Sequence, residues 1–109
     1  MMRDAGLEEL ILEHIGALPG LSEKSMFGGR TWLLDGHLLC GASDRGMLIR
    51  LGKGNDAWAL ALSGIHQLDG RQPYPGWVVA EARAYADDTL RMRLLDAALA
   101  FVRSQPPKI

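Results

Sequence analysis

The chain has 109 residues, of which 48% are hydrophobic and 23% charged, a composition typical of one globular domain and not of a disordered chain. Twelve Lys and Arg residues stand against thirteen Asp and Glu residues, so the positive field that drives binding to phosphate backbones is missing and we expect no direct nucleic-acid binding. The single cysteine, Cys40, excludes an intramolecular disulfide, and no apolar run approaches the ~20 residues of a membrane span. We therefore expect a cytoplasmic protein that does not enter the membrane.

The first predicted element is an amphipathic helix. Apolar residues recur at helical spacing from Leu7 to Leu18, and acidic residues occupy the opposite face. Asp4 is placed to cap the start of this helix, and Pro19-Gly20 is placed to end it. Leu12 falls outside the apolar stripe, so we expect its side chain to be exposed.

A three-stranded meander follows. Asp35-Gly36 lies between two apolar runs and is a strong signal for a two-residue hairpin turn. The predicted strands are Arg30 to Leu34, His37 to Ala42 and Met47 to Leu51, with Ala42 opposite Met47.

Strict alternation along this meander gives the sheet two apolar faces. The predicted core face carries Leu33, Leu38, Cys40, Ala42, Met47, Ile49 and Leu51. The other face carries Trp32, Leu34, His37, Leu39, Leu48 and Arg50. The second face is too apolar for an ordinary solvent-facing sheet.

The second half of the chain predicts a short helix capped by Asn55, two strands and a long terminal helix that begins at Asp87-Asp88. Their ranges are Asp56 to Leu62, Ile65 to Leu68, Trp77 to Ala80 and Asp87 to about Ser104. A turn-rich segment, Asp69 to Gly76, separates the two strands. No repeat or linker divides residues 1–109, which we interpret as one domain.

Several short motifs stand in a fixed order along this pattern. They are Met26-Phe27-Gly28-Gly29 before the hairpin, Asp44-Arg45, Ile49-Arg50-Leu51, Gly70-Arg71, Gly76-Trp77-Val78, Asp87-Asp88 and the terminal run Phe101 to Lys108. As a set they resemble the N-terminal domain of the TfoX/Sxy competence-regulator family over nearly the whole chain.

This resemblance implies a two-layer α+β fold with an antiparallel sheet, an N-terminal helix, a short middle helix and a C-terminal helix. It also implies membership of a family whose named members regulate natural competence together with the cyclic-AMP receptor protein. Those longer regulators carry a further C-terminal helical domain, whereas this sequence ends at Ile109, so we expect the regulatory role to be lost. The family offers no established catalytic residues.

The residues themselves favour no enzyme chemistry. His14, His37, His66 and Cys40 lack the close spacing of zinc sites, and Cys40 falls on the predicted core face, where a thiol behaves as a small hydrophobic group. Gly28-Gly29 lacks the patterns of nucleotide-binding loops and precedes a strand, which favours a tight turn with positive φ. We expect no metal and no cofactor.

The sequence therefore favours a non-enzymatic interaction module that binds a protein partner or a second copy of itself. The predicted contact surface consists of Trp32, Leu34, Leu39 and Leu48, with Arg50 at its edge. The alternative for this face is that the short helix or the Asp69 to Gly76 loop covers it. The alternative function is a small-molecule-binding or minor enzymatic domain, with its site between the Met26 to Gly29 loop and the Asp69 to Gly76 loop.

Overall fold

The computed structural model describes residues 4–26, 28–68 and 74–106. Within these ranges the fold is α+β, as predicted. The helices are α1 (Ala5–Ile15), α2 (Ala57–Leu60), α3 (Ala82–Tyr85) and α4 (Asp88–Arg103). The strands are β1 (Leu21–Met26), β2 (Gly29–Leu34), β3 (His37–Ser43), β4 (Gly46–Arg50), β5 (Ile65–Gln67) and β6 (Trp77–Ala80).

The six strands form one antiparallel sheet in the order β1-β2-β3-β4-β6-β5. The predicted meander is its centre, and Ala42 lies opposite Met47 as expected. The strand β1 was not predicted, because its residues are largely polar and exposed and carry no apolar alternation. It forms an edge of the sheet, where exposed charged side chains are common.

The Asp35-Gly36 hairpin turn is confirmed. Asp35 has φ 51° and Gly36 has φ 84°, the pair of positive angles that a two-residue hairpin turn requires, and Leu34 lies opposite His37. Further from the turn the register shifts, so that Trp32 lies opposite Cys40 and not opposite Leu39. Leu39 is therefore the extra residue of a β-bulge, which exchanges the two faces of β2 relative to simple alternation.

All four helices pack on the same face of the sheet, called here the helix-covered face. The main core lies between the two layers and combines residues of every helix with inward-facing strand residues. Its largest fully buried side chains are Leu7, Ile11, Ile15, Trp32, Leu39, Met47, Ile49, Leu51, Val78, Leu94 and Leu95. The opposite face is called here the open face, and none of the helices of the described residues packs on it.

The two long helices begin where the sequence predicts. The Asp4 carboxylate accepts the Leu7 backbone N–H at 3.0 Å, and the Asp87 carboxylate accepts the Leu90 N–H at the same distance. Each cap satisfies one of the backbone donors that a helix start leaves unpaired. Leu12 is exposed, as expected.

Two local predictions in the second half were wrong or incomplete. Asn55 does not cap α2, because its side-chain amide instead donates to the Leu51 carbonyl at 3.3 Å. The single helical turn α3 was not predicted, since four residues are too few for a helical period to appear in the sequence.

The helix layer is held together by polar contacts as well as by the core. Arg91 is only 6% exposed and donates to the Tyr85 carbonyl at 2.9 Å and to the Asp88 carboxylate at 2.8 Å, so it closes the end of α3 onto α4. His14 and Asp96 join α1 to α4 at 2.7 Å. Burial, together with Asp4, raises the pKa of Tyr85, whose hydroxyl donates to that carboxylate at 3.3 Å.

None of the helices found in residues 4–26, 28–68 and 74–106 combines the length and the apolar character needed to cross a bilayer.

Candidate functional site

Three of the residues predicted for the contact surface lie in the main core. Trp32, Leu34 and Leu39 are 1%, 3% and 0% exposed and pack beneath the helices. The prediction of an exposed cluster was therefore wrong for these three, and Leu48, although on the other face of the sheet, is also buried, at 7% exposed. The physical reason for this error is the bulge at Leu39, which places the three side chains on the helix-covered face.

The same shift moves Leu33 and Leu38 away from the core face to which alternation assigned them. They lie opposite one another on the open face, where both are half-buried. The other predicted core residues of the meander, from Cys40 to Leu51, are buried as expected. The bulge thus exchanges the faces of β2 and the start of β3 and leaves β4 unchanged.

Leu48 and Arg50 lie on the open face, as predicted. Leu48 is opposite Val79 and forms a small second cluster with Val79, Leu68 and Trp77. Arg50 is opposite Trp77, and its guanidinium donates to the Leu38 carbonyl at 3.4 Å. An apolar band therefore crosses the open face from β2 to β6, with Arg50 within it.

The charges of the open face are uneven. Its strand residues include the cations Lys24 and Arg50 and no carboxylate, because Glu23 alternates to the other face and pairs with Arg30 at 2.9 Å. Glu81, beyond the end of β6, lies 3.8 Å from His66. Arg50 has no ion pair with any described residue, and its guanidinium lies 5.6 Å from the Trp77 ring centroid. The open face is therefore apolar with positive charge.

The glycine loop is constrained by structure. Gly28 has φ 73°, which confirms the predicted positive φ. Gly29 lies so close to the neighbouring strand that an added Cβ would stand 2.0 Å from the Ala42 carbonyl oxygen. Met26, at the end of β1, lies opposite Gly29, whereas Phe27 lies outside the described residues.

The alternative small-molecule site is only partly within the described residues, because residues 69–73 lie outside them. On the Met26 side the cavity lined by Met26, Thr31 and Leu48 has a volume of about 20 Å³. That is room for about one water molecule.

The candidate chemical residues are not brought together. Within the described ranges no three His, Cys, Asp or Glu side chains converge as metal ligands would. His14 contacts Asp96, His37 contacts the Pro106 carbonyl and His66 lies beside Glu81, each at a different place in the fold. Cys40 is fully buried, and desolvation strongly raises the pKa of its thiol.

Sequence reasoning missed a cleft between α2 and α4. It has a volume of about 370 Å³ and lies between the rings of Trp58 and Phe101, with Leu51 in its lining. The only sequence signal is a row of small residues at helical spacing on α4, Ala97, Ala100 and Ser104.

Comparisons with protein-family models, with curated proteins and with solved structures give no match to this chain. The resemblance to the TfoX N-terminal domain therefore stays a prediction that rests on the sequence motifs.

Proposed function

We propose that this chain is a non-enzymatic interaction module of the TfoX N-terminal domain type, and that it binds another protein through the open face of its sheet. The observation that carries this proposal is the one-sided arrangement of the helices. Among the described residues they cover only one of two apolar faces. On the other face Leu33, Leu38 and Trp77 are half-buried beside a small cluster that buries Leu48. An apolar face without a helix layer is typical of a contact surface.

The proposed partner presents carboxylates among apolar side chains. Arg50 lies within the apolar band and has no carboxylate partner among the described residues, and its guanidinium lies near the rings of Trp77 and Phe101. Arginine and tryptophan are the residue types that dominate binding energy in protein interfaces. A second copy of the chain fits less well, because pairing two open faces would bring Lys24 and Arg50 toward the same cations of the other copy.

We also propose a cytoplasmic location. The chain has one cysteine, and Cys40 is buried in the main core, where it contributes packing and no cross-link. A domain that folds around a free thiol suits a reducing compartment.

The test is quantitative affinity capture from the native cell with the tagged chain and matched variants. Leu38→Asp places a negative charge in the apolar band, and Arg50→Glu reverses the central cation. Leu12→Asp makes the same kind of change on the exposed side of α1 and serves as the control. Each variant is first checked for an unchanged thermal unfolding midpoint. Lys24→Glu, on the exposed edge strand, replaces any open-face variant that unfolds.

The proposal predicts a partner whose recovery falls at least about tenfold with the open-face variants, is unchanged with Leu12→Asp and weakens with rising salt. A partner lost equally with all variants, or with none, would refute the open-face assignment. Light scattering on the isolated chain is the second measurement. A dimer that Leu38→Asp dissociates would assign the face to a second copy and refute the acidic partner.

A further inference from the structure

We propose that the cleft between α2 and α4 binds a planar aromatic carboxylate of small size. The residues that line this site lie outside the open face, although Arg50 lies beside both, and its volume of about 370 Å³ is within the range of small-molecule sites. It forms because three residues with small side chains line it along α4 and at the end of that helix, namely Ala97, Ala100 and Ser104. Larger residues at these positions would fill the space.

The walls of the cleft favour a flat ring. Trp58 and Phe101 present aromatic side chains, and both are half-buried, so part of each ring is open to a ligand. Leu51, which is fully buried, adds an apolar surface. A planar ligand gains stacking and burial between such walls, as aromatic side chains do with one another.

The charges beside the two rings favour an anion. The Arg93 guanidinium lies 4.1 Å from the Trp58 ring centroid, and the Arg50 guanidinium lies 5.3 Å from the Phe101 ring centroid. Neither arginine forms an ion pair with a residue in the described parts of the chain. A carboxylate is the group that the planar guanidinium binds with paired hydrogen bonds.

Two polar side chains that line the cleft have oxygen atoms that can accept a hydrogen bond from a ligand. The Asn55 side-chain amide donates to the Leu51 carbonyl and keeps its oxygen available. The Ser104 hydroxyl donates to the Phe101 carbonyl and accepts from the Gln105 side-chain amide, which leaves it one lone pair. A ring that carries a carboxylate and an N–H or O–H group could therefore bind the arginines through the carboxylate and the acceptor oxygens through its donor.

The experiment is a chemical-shift titration of the intact, isotope-labelled chain with 2-naphthoate, compared with the neutral 2-naphthalenemethanol. We expect 2-naphthoate to bind with a Kd of about 1 mM, as suits a fragment of this size. The largest shifts are expected at the backbone amides of Asn55, Ala97, Ala100 and Phe101.

Two variants with matched controls separate shape from charge. Ala100→Leu fills the cleft and is expected to weaken both probes by about tenfold or more, whereas Ala82→Leu, at an exposed alanine of α3, leaves them unchanged. Arg93→Gln is expected to weaken 2-naphthoate about threefold to tenfold and the neutral probe less than about twofold. Arg103→Gln, at an exposed arginine of the same helix, is its control. Ala97→Leu replaces Ala100→Leu if the latter changes the spectrum beyond the cleft.

Three outcomes would overturn the proposal. The first is the absence of a saturable shift with 2-naphthoate. The second is a set of shifts centred on the open face or dispersed over the surface. The third is an equal loss of both probes on Arg93→Gln, which would remove the argument for an anion.

Discussion

The two faces of the sheet are both apolar, but the helices of the described residues pack on only one of them. The helix-covered face buries Trp32, Leu39 and Ile49 completely, whereas the open face leaves Leu33 and Leu38 half-buried. Apolar alternation alone does not distinguish these faces, because it assigns a side to each residue only after the register is known. One extra residue, Leu39 at the bulge, therefore determines which side chains of β2 and β3 pack in the main core and which lie on the open face.

The largest effect is expected on the helix-covered face at Trp32. Trp32→Ala should lower the free energy of unfolding by about 3–5 kcal/mol, because it leaves a large cavity in the main core. Trp32→Phe should cost much less, since the indole N–H is buried without a hydrogen-bond partner among the described residues and its removal relieves an unpaired donor. Denaturant unfolding measures both. Equal losses for Ala and Phe would show that ring packing is not the stabilising term.

On the open face, stability should depend strongly on Gly29, because its backbone lies close to the neighbouring strand. Gly29→Ala should cost on the order of 3 kcal/mol, because the added Cβ meets the Ala42 carbonyl of the neighbouring strand. Gly28→Ala, which tests the positive φ at that position, should cost about 1 kcal/mol. If the two variants have the same denaturant midpoint, the close approach at Gly29 is not a constraint.

A smaller effect is expected within the helix layer at Arg91. Arg91→Gln should lower the free energy of unfolding by about 1–3 kcal/mol, because it removes hydrogen bonds to the Tyr85 carbonyl and the Asp88 carboxylate from a buried position. Arg103→Gln, at an exposed position in the last turn of α4, should change it by less than about 0.5 kcal/mol. A loss at Arg103 as large as at Arg91 would mean that total charge, and not the buried contact, sets the effect.

The smallest effect on stability concerns Cys40 and pH. Because burial raises the pKa of this thiol in the folded state, its contribution to stability should be present below about pH 8.5, the ordinary pKa of an unfolded thiol, and decline above it. Cys40→Ala should remove that part of the decline. A thiol reagent should modify Cys40 in denaturant and not in the folded chain, so rapid modification of the folded chain would contradict its burial.

Much of the fold could be predicted from the sequence. Asp4 and Asp87 mark the starts of the two long helices, and Asp35-Gly36 marks the hairpin, because caps and tight turns are local chemistry. The edge strand β1 and the bulge could not be predicted, since both depend on pairing with β2. No local pattern separates a bulged strand from a regular one.

The candidate sites were predicted less well for the same reason. Leu48 and Arg50 lie where alternation placed them, because β4 is regular. Trp32, Leu34 and Leu39 lie on the face opposite to the one that alternation predicted, because the bulge at Leu39 shifts the pairing of β2 with β3. The cleft beside Trp58 depends on the distance between α2 and α4, which no spacing within either helix reveals.

The most direct test compares two adjacent residues of β3 that the bulge places on opposite faces. The free energy of unfolding is measured for Leu39→Ser and for Leu38→Ser. We expect Leu39→Ser to lose about 3–5 kcal/mol, because Leu39 is fully buried beneath the helices, and Leu38→Ser to lose less than about 1 kcal/mol. The reverse order, or equal losses, would contradict the assignment of one covered face and one open face.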